Sequence, residues 1–202
     1  MVPTAVRRDG FVPLCTFGRD DGSYGYTMEF IVPADSPIKD VTDVRGHKVM
    51  FTRLDSNSGF KVPLVLLLDE HSMLPDRDYQ WGFSQGHEDS IKGIAEKDYE
   101  VAPVASDILA RMIEKGEVDA DAVKSICTSE RFPPATIGIV YNLDPKLRDE
   151  IQETLLSFNI KGTGLDGEFG ADITKFVPVN YKDDWANTRR IDQVVAQARS
   201  QR

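Results

Sequence analysis

The segment HKVMFTRLDSNSGFKVPLVLLL, residues 47–68, joins a short apolar strand to a strongly apolar helix through a polar loop. The loop carries three small polar residues, Ser56, Asn57 and Ser58, followed by Gly59. Hydroxyl and amide groups at this place cap a helix. They can also hold an anion, because the unpaired N–H groups and the positive end of the helix dipole point the same way. The segment alone leaves both roles open.

Pro63 makes the start of this helix unusual. In a helix that begins at Gly59, Pro63 would lie past the first turn, where its missing N–H and its ring are unfavourable. The sequence therefore predicts either an irregular first turn or a regular helix that begins at Pro63 itself. An irregular, open turn would leave more N–H groups available to a ligand.

The composition is that of an ordinary globular chain with an acidic balance. Its 202 residues are 41% hydrophobic and 28% charged, and the net charge is −9. This length accommodates one domain or two small lobes. Nucleic acid is not expected as a partner, since its phosphate backbone requires a basic face. A small anionic ligand is still compatible with the net charge, because local dipoles decide its binding.

The cysteines and histidines indicate neither a disulfide nor a metal centre. Cys15 and Cys127 lie in apolar, strand-like runs, and we expect two buried free thiols. The three histidines form no Cys/His cluster, so no metal and no cofactor are predicted. We find no apolar run long enough to span a membrane and no signal peptide in the chain as given.

Short apolar runs alternate with helical periods along the chain, which is typical of an α/β fold with a mostly parallel sheet. The expected strands are 11–17, 26–33, 47–52, 78–84, 99–104, 123–128, 137–142 and 176–180. The expected helices are 60–71, 89–97, 106–115, 144–158 and 183–199. Two of the helices show an apolar face expected to be core: Leu147, Ile151, Leu155 and Phe158 on one, and Trp185, Thr188, Ile191, Val195 and Ala198 on the other.

Two segments with turn chemistry, 33–48 and 128–138, are predicted to cross between two lobes. Residues 36–132 then form one complete α/β lobe. Residues 1–35 and 133–202 together form the remnant of the other lobe.

Three strand-to-helix junctions of the compact lobe carry polar side chains. They are Ser56-Asn57-Ser58, the segment around His87, and Ser106-Asp107. Ligands of open α/β sheets bind at the carboxyl ends of the strands. If the three strands are parallel, the junctions converge on one cleft.

A tetrahedral oxyanion would suit this cleft. Serine hydroxyls, Asn57 and backbone N–H groups are donors for its oxygens, and His87 can add a further donor. Asp107 would hold His87 in one tautomer, accept from a P–OH group or meet an amine of the ligand, since like charges repel. Each residue also has a simpler explanation: Ser56 or Ser58 as a helix cap, His87 as a solvated loop histidine, and Asp107 as a first-turn acid.

Three quoted segments resemble one known family. DVTDVRGHKVMFTRLDSNSGFKVPLVLL, GHEDSIKGI and YEVAPVASDILARMIEKGEVDADAVKSICTS are similar to the phosphonate/phosphite-binding proteins of ABC transporters, which are type II periplasmic binding proteins. The resemblance runs from about Pro33 to Leu156 and continues more weakly through FVPVNYKDDWANTRRID. It implies that Ser56, Asn57 and Ser58 grip the phosphonate oxygens, with His87 at the second junction and Asp107 near a ligand amine. It also implies that two lobes close around the ligand by hinge motion.

The chain departs from the family pattern in two ways. Ala135 stands where many members carry an acidic residue, so 2-aminoethylphosphonate is no more favoured than phosphite, methylphosphonate or phosphate. The first βα units of the family are not found before the first strand, which predicts a truncated first lobe. We expect one of three consequences: a homodimer that buries its exposed surface, a partner chain that does so, or a mis-assigned start.

The resemblance therefore favours the substrate-binding component of an ABC-type uptake system for a phosphonate-like oxyanion. An ABC permease would be the partner of the full-length protein, and the location would be periplasmic or extracytoplasmic. A ligand-sensing domain of the same fold is the alternative. An enzyme is disfavoured, because no serine elbow and no nucleophile–base pair stands out, although Lys61 lies near the loop.

Overall fold

The computed structural model describes the backbone of residues 2–200 and the side chains of residues 2–194. Residues 2–200 contain eight strands: β1 Phe11–Gly18, β2 Met28–Pro33, β3 Lys48–Phe51, β4 Gln80–Phe83, β5 Ala102–Ala105, β6 Val123–Thr128, β7 Thr136–Val140 and β8 Lys175–Pro178. The α-helices are α1 Val2–Asp9, α2 Val62–Val65, α3 His87–Ala95, α4 Ser106–Glu114, α5 Pro145–Ser157, α6 Tyr181–Asp184 and α7 Ala186–Ser200. Two π-helices, Asn57–Lys61 and Leu66–Glu70, flank α2, and 3-10 turns lie at Val41–Val44 and Ala120–Ala122.

The chain forms two compact units. The first contains the residues up to Tyr26 together with Phe132–Arg190, and the second contains Thr27–Arg131 together with the residues from Ile191 onward. Their assignment to the two lobes, with limits at 36 and 132, stays a prediction.

The first unit is built on a three-stranded antiparallel sheet. Its strand order is β7-β1-β8, and β1 runs against both neighbours. Its buried cluster consists of Cys15, Phe17, Ile160, Ile173 and Phe176.

The expectation that the apolar face of α5 is core holds in part for Leu155 and is wrong for Leu147 and Phe158. None of its residues is fully buried, Leu147 is 44% exposed and Phe158, which follows the helix, is 41% exposed. Leu155 is partly buried and packs against the cluster. The helical period shows which side chains share a face, but the contacts of that face depend on tertiary packing.

The second unit contains five strands in the order β4-β3-β5-β2-β6. The pair β3–β4 is parallel, and a parallel bridge from Val49 to Val101 joins β5 to β3. A hydrogen bond from Met50 N–H to the Val101 carbonyl, 2.8 Å long, supports this bridge. Strand β2 pairs antiparallel with β5 on one side and β6 on the other. Strands β3, β4 and β5 therefore run in one direction and end at the same edge of the sheet.

The expectation of a mostly parallel sheet holds for the strands that lead to the three junctions and fails around β1 and β2. Hydrophobic runs locate a strand without fixing its direction. All eight predicted strands and all five predicted helices are present. The first predicted helix consists of α2 and its two flanking π-helices, and the last is divided into α6 and α7. Helix α1 was not predicted.

Helices α3 and α4 cover the second sheet through an apolar core. Its buried residues come from β2, β3, β5, α3, α4 and the turn after α4: Ile31, Met50, Ile91, Ile94, Ala102, Val104, Leu109, Met112 and Val118. Burial of this set anchors the first turns of α3 and α4 at the sheet edge.

The remaining predictions about burial and spans have mixed outcomes. Both cysteines are free, but only Cys15 is buried, and Cys127 on the edge strand β6 is half-buried. Burial raises the pKa of both thiols.

Trp185, Thr188 and Ile191 are buried as expected, whereas the side chains of Val195 and Ala198 lie outside the described residues. Within residues 2–200, no helix is both long and apolar enough to cross a membrane.

Candidate functional site

The polar loop after β3 folds as a π-helical turn. The N–H of Lys61 donates to the Ser56 carbonyl over 3.1 Å, five residues back, and the Val62 N–H donates to the Asn57 carbonyl. Ser56 caps the turn, because its Oγ accepts from the Gly59 N–H at 2.9 Å. Pro63 then falls in the first turn of α2, where no N–H is required. The irregular first turn, one of the two alternatives drawn from Pro63, is confirmed.

Close packing against β3 fixes the path of this turn. The Thr52 N–H donates to the Gly59 carbonyl at 3.0 Å. A Cβ on Gly59 would lie 1.9 Å from Thr52 Oγ1, so no other residue fits there without displacement. Thr52 is 2% exposed, and within the described residues its Oγ1 has no hydrogen-bond partner.

His87, the first residue of α3, faces Ser56 in a fixed tautomer. The backbone N–H of Ala105, at the end of β5, donates to His87 Nδ1 over 3.1 Å. Because Nδ1 accepts, the proton of the neutral ring belongs on Nε2. Nε2 lies 3.4 Å from Ser56 Oγ. The first and second junctions therefore meet through these two side chains, and β5 of the third junction sets the ring.

The ring is neutral at physiological pH. Burial, and to a smaller extent the nearby charge of Arg53, together lower the pKa of His87 to about 4. Protonation would also bring an Nδ1–H against the Ala105 N–H. His87 thus presents an uncharged N–H donor.

This shift gives a testable pH dependence of stability. The pKa of His87 is about 4 in the folded chain and has its ordinary value of 6.5 in the unfolded chain. Between these two pH values the unfolded chain therefore binds more protons than the folded chain, and acid favours unfolding. The contribution of His87 to the free energy of unfolding is complete above pH 6.5 and is lost as the pH falls toward 4. We expect the wild type to lose stability more steeply from pH 7 to 4.5 than the His87→Gln variant, in urea denaturation at several pH values. Parallel profiles of the two proteins would contradict the shift.

Ser56 and His87 line one cavity of about 290 Å³. Its lining residues come from the ends of β3 and β4 and from the starts of the following helices: Thr52, Arg53, Ser56, Gln85, Gly86, His87, Glu88, Asp89 and Ile108. Gly86 precedes α3 without a capping side chain, so the first N–H groups of α3 lack helical acceptors. Arg53 contributes a positive charge, and Glu88 and Asp89 contribute negative charges.

The structure brings some of the predicted site residues together and separates others. Ser56 and His87 share the cavity. Asn57, half-buried, and Ser58, 1% exposed, belong to the π-helical turn, but neither is among the lining residues described. Asp107 is exposed, and its Oδ1 accepts from the Ile108 N–H at 3.0 Å, so the third junction reaches the cavity through Ile108.

Four lining residues did not emerge from the sequence: Thr52, Arg53, Gln85 and Ile108. Thr52 and Arg53 directly follow β3, and their place at the cavity depends on the π-helical turn folding back over that strand. Gln85 has a left-handed backbone, with φ of 81°, and its N–H donates to the Thr52 carbonyl at 3.2 Å. Non-glycine residues in this region concentrate at functional sites. No pattern in the sequence marks Gln85 in advance.

The pairing of Ser56 with His87 is unsuited to nucleophilic catalysis. In a serine hydrolase, the unprotonated Nε2 accepts the serine proton while Nδ1–H is held by a carboxylate. Here Nδ1 accepts a backbone N–H and Nε2 carries the proton. The pair can donate hydrogen bonds to an anion.

Sequence comparison finds one protein family along most of the chain. A family model described as the periplasmic substrate-binding protein of phosphonate ABC transporters matches residues 2–185. The phosphonates-binding periplasmic protein of Escherichia coli (strain K12) is 27% identical over 142 residues. That alignment covers 68% of this chain and 42% of the relative.

Solved structures share the fold at low sequence identity. PhnD1 from Prochlorococcus marinus, in complex with methylphosphonate, superposes with a TM-score of 0.75 at 13% identity, covering 96% of this chain and 75% of that one. A binding protein component of the ABC phosphonate transporter of Pseudomonas aeruginosa has a TM-score of 0.73 at 18% identity, covering 93% and 63%. These likenesses show the predicted α/β fold of the type II periplasmic binding proteins.

Proposed function

Since the chain belongs to the periplasmic substrate-binding proteins of phosphonate ABC transporters, we propose that its cavity binds a small phosphonate-like oxyanion for uptake. The observation that supports this most directly is the contact between Ser56 and His87. Two junctions 31 residues apart place a hydroxyl and a neutral imidazole N–H at 3.4 Å from each other. Both can donate to oxygens of one ligand.

Backbone groups complete the set of donors. The first three residues of α3 line the cavity, and their N–H groups lie at the positive end of the helix dipole. The Asn57 and Ser58 amides occupy the equivalent place in the π-helical turn. We propose that these amides, with the Asn57 side chain, take further ligand oxygens, and that Ser58 serves mainly through its backbone because its side chain is buried.

The charges around the cavity favour a small anion over a large polyanion. Arg53 is the cation of the lining, but Glu88 and Asp89 also line the cavity. Arg111 approaches Glu88 to 3.8 Å and partly compensates it. We propose that phosphite, phosphate or methylphosphonate suits this balance, with exposed Asp107 acting on a ligand amine where one is present.

The other roles considered from the sequence rank below uptake. A sensor domain of the same fold would use the same cavity, and an enzyme is disfavoured by the protonated Nε2 of His87. We propose a periplasmic location and an ABC permease as partner, which the family description supports. The homodimer also stays a proposal, to which exposed Val140 and Tyr141 at the end of edge strand β7 lend support.

A thermal-shift panel tests the proposal. Phosphite, phosphate, sulfate, methylphosphonate and 2-aminoethylphosphonate are added at millimolar concentration. A bound ligand raises the melting temperature because it stabilises the folded chain by RT ln(1 + [L]/Kd). We expect at least one phosphorus oxyanion to shift the transition more than sulfate does. A shift with sulfate alone would contradict the phosphorus assignment, and no shift with any of the five would contradict binding by this chain.

A further inference from the structure

A largely buried ion pair connects the π-helical turn to helix α7, which lies far from it in sequence. Lys61 ends the π-helical turn, and its Nζ lies 2.8 Å from Asp192 Oδ1 on α7. The side chains are 11% and 16% exposed. Asp192 comes 131 residues later in the chain and belongs to the same compact unit as Lys61.

Stability alone does not account for such a pair. Removing two charges from water is costly, and apolar replacements of similar volume often leave stability unchanged or increased. Removing one partner is harmful chiefly because it leaves the other charge buried and uncompensated. The position of the pair in the fold is therefore a better guide to its role than its contribution to stability.

Lys61 stands at the end of the turn where its register is set. A π-helical turn is rare and needs surrounding structure to maintain it. The Lys61 N–H donates to the Ser56 carbonyl over 3.1 Å, and this hydrogen bond fixes the position of Ser56. The Oγ of Ser56 in turn accepts from the Gly59 N–H and faces His87. The ion pair with Asp192 restrains Lys61, and Lys61 is joined to Ser56 by this single backbone hydrogen bond.

We propose that Lys61 and Asp192 are positioning residues that hold the π-helical turn in the register required for oxyanion binding. This inference rests on the proposed function for its binding consequence and on the turn geometry for its structural one. Neither side chain is among the lining residues of the cavity. Asp192 makes the oxyanion site depend on α7, although no residue of α7 lies close to it in sequence.

The test removes both charges together, so that no buried ion is left alone. The double variant Lys61→Met/Asp192→Leu is compared with the wild type in calorimetric titration with the best ligand of the panel. We expect the dissociation constant to rise at least about tenfold, the equivalent of one good hydrogen bond to an anion. The matched control is Lys146→Met/Glu150→Leu, an exposed pair 3.9 Å apart on α5, for which no change is expected.

Amide hydrogen exchange without ligand separates this inference from the proposed function. In the Lys61→Met/Asp192→Leu variant, the Lys61 and Val62 amides are expected to exchange at least about tenfold faster, while those of α4 keep their protection. Unchanged exchange at these amides, or unchanged affinity, would overturn the positioning role. If the wild type binds none of the five anions, the proposed function fails, and exchange still decides whether the pair holds the turn.

A conservative variant covers the case in which the double variant does not fold. Lys61→Arg/Asp192→Glu keeps the charges and is expected to retain binding within a few-fold, whereas Asp192→Asn is expected to lose it. Equal affinities of these two variants would overturn the proposal.

Discussion

Replacing Gly59 with alanine is expected to destabilise the chain by about 3 kcal/mol and to abolish oxyanion binding. The added Cβ would lie 1.9 Å from Thr52 Oγ1, 2.7 Å from its Cγ2 and 2.8 Å from its Cβ. Both residues are buried, so neither the turn nor β3 can yield without disturbing the sheet edge. Displacement of the turn would also carry Ser56 away from His87.

Urea denaturation and titration with methylphosphonate measure the two effects. Gly164→Ala is the matched control, because a Cβ there meets no atom within 4 Å, and its stability is expected to be unchanged. Thr52→Ala/Gly59→Ala removes Oγ1 and Cγ2 and is expected to recover part of the loss. A Gly59→Ala protein as stable as the wild type would show that the turn is not held against Thr52.

His87 can be dissected with two amide variants. Asparagine places an acceptor near the Nδ1 position, and glutamine places a donor near the Nε2 position. In His87→Asn we expect the Ala105 N–H to stay paired and stability to be nearly unchanged, while affinity falls by roughly 10- to 100-fold through loss of the Nε2–H donor. In His87→Gln we expect affinity within a few-fold of the wild type and a loss of about 1–2 kcal/mol in stability, because the Ala105 N–H loses its partner.

Calorimetric titration with the same ligand, run beside denaturation curves, distinguishes the two variants. The opposite ordering, with asparagine binding better than glutamine, would mean that the assigned tautomer is wrong. Equal losses of affinity in both variants would mean that the imidazole contributes more by shape than by its proton.

The fold was predictable where a local pattern carries the information. Apolar runs bounded by turn residues located every strand, and Pro63 indicated the irregular turn because its ring constrains the chain within one helical turn. Strand direction was not predictable, since β2 has the same composition whichever way it runs. Helix α1 was missed because Val2–Asp9 spans only eight residues and includes Pro3 and Thr4, which are weak helix formers.

The site was predictable to the extent that its residues follow strands. Ser56 and His87 lie at carboxyl ends of parallel strands and meet as the junction rule anticipates. Thr52 and Gln85 could not be found, because their roles depend on an absent hydrogen-bond partner and on a backbone angle that only the folded chain fixes. The burial of Ser58 and the exposure of Asp107 likewise depend on how the π-helical turn and α4 rotate about their axes.

The reversed direction of β2 has a consequence for engineering. It places the start of β2 beside the end of β6, where the Ser129 N–H donates to the Met28 carbonyl at 2.9 Å. The two ends of segment 27–131 therefore lie next to each other. A segment with adjacent ends can be inserted into a surface loop of a host protein. Such a graft would leave α7 behind, so its Lys61 would need a new counter-ion or an uncharged replacement.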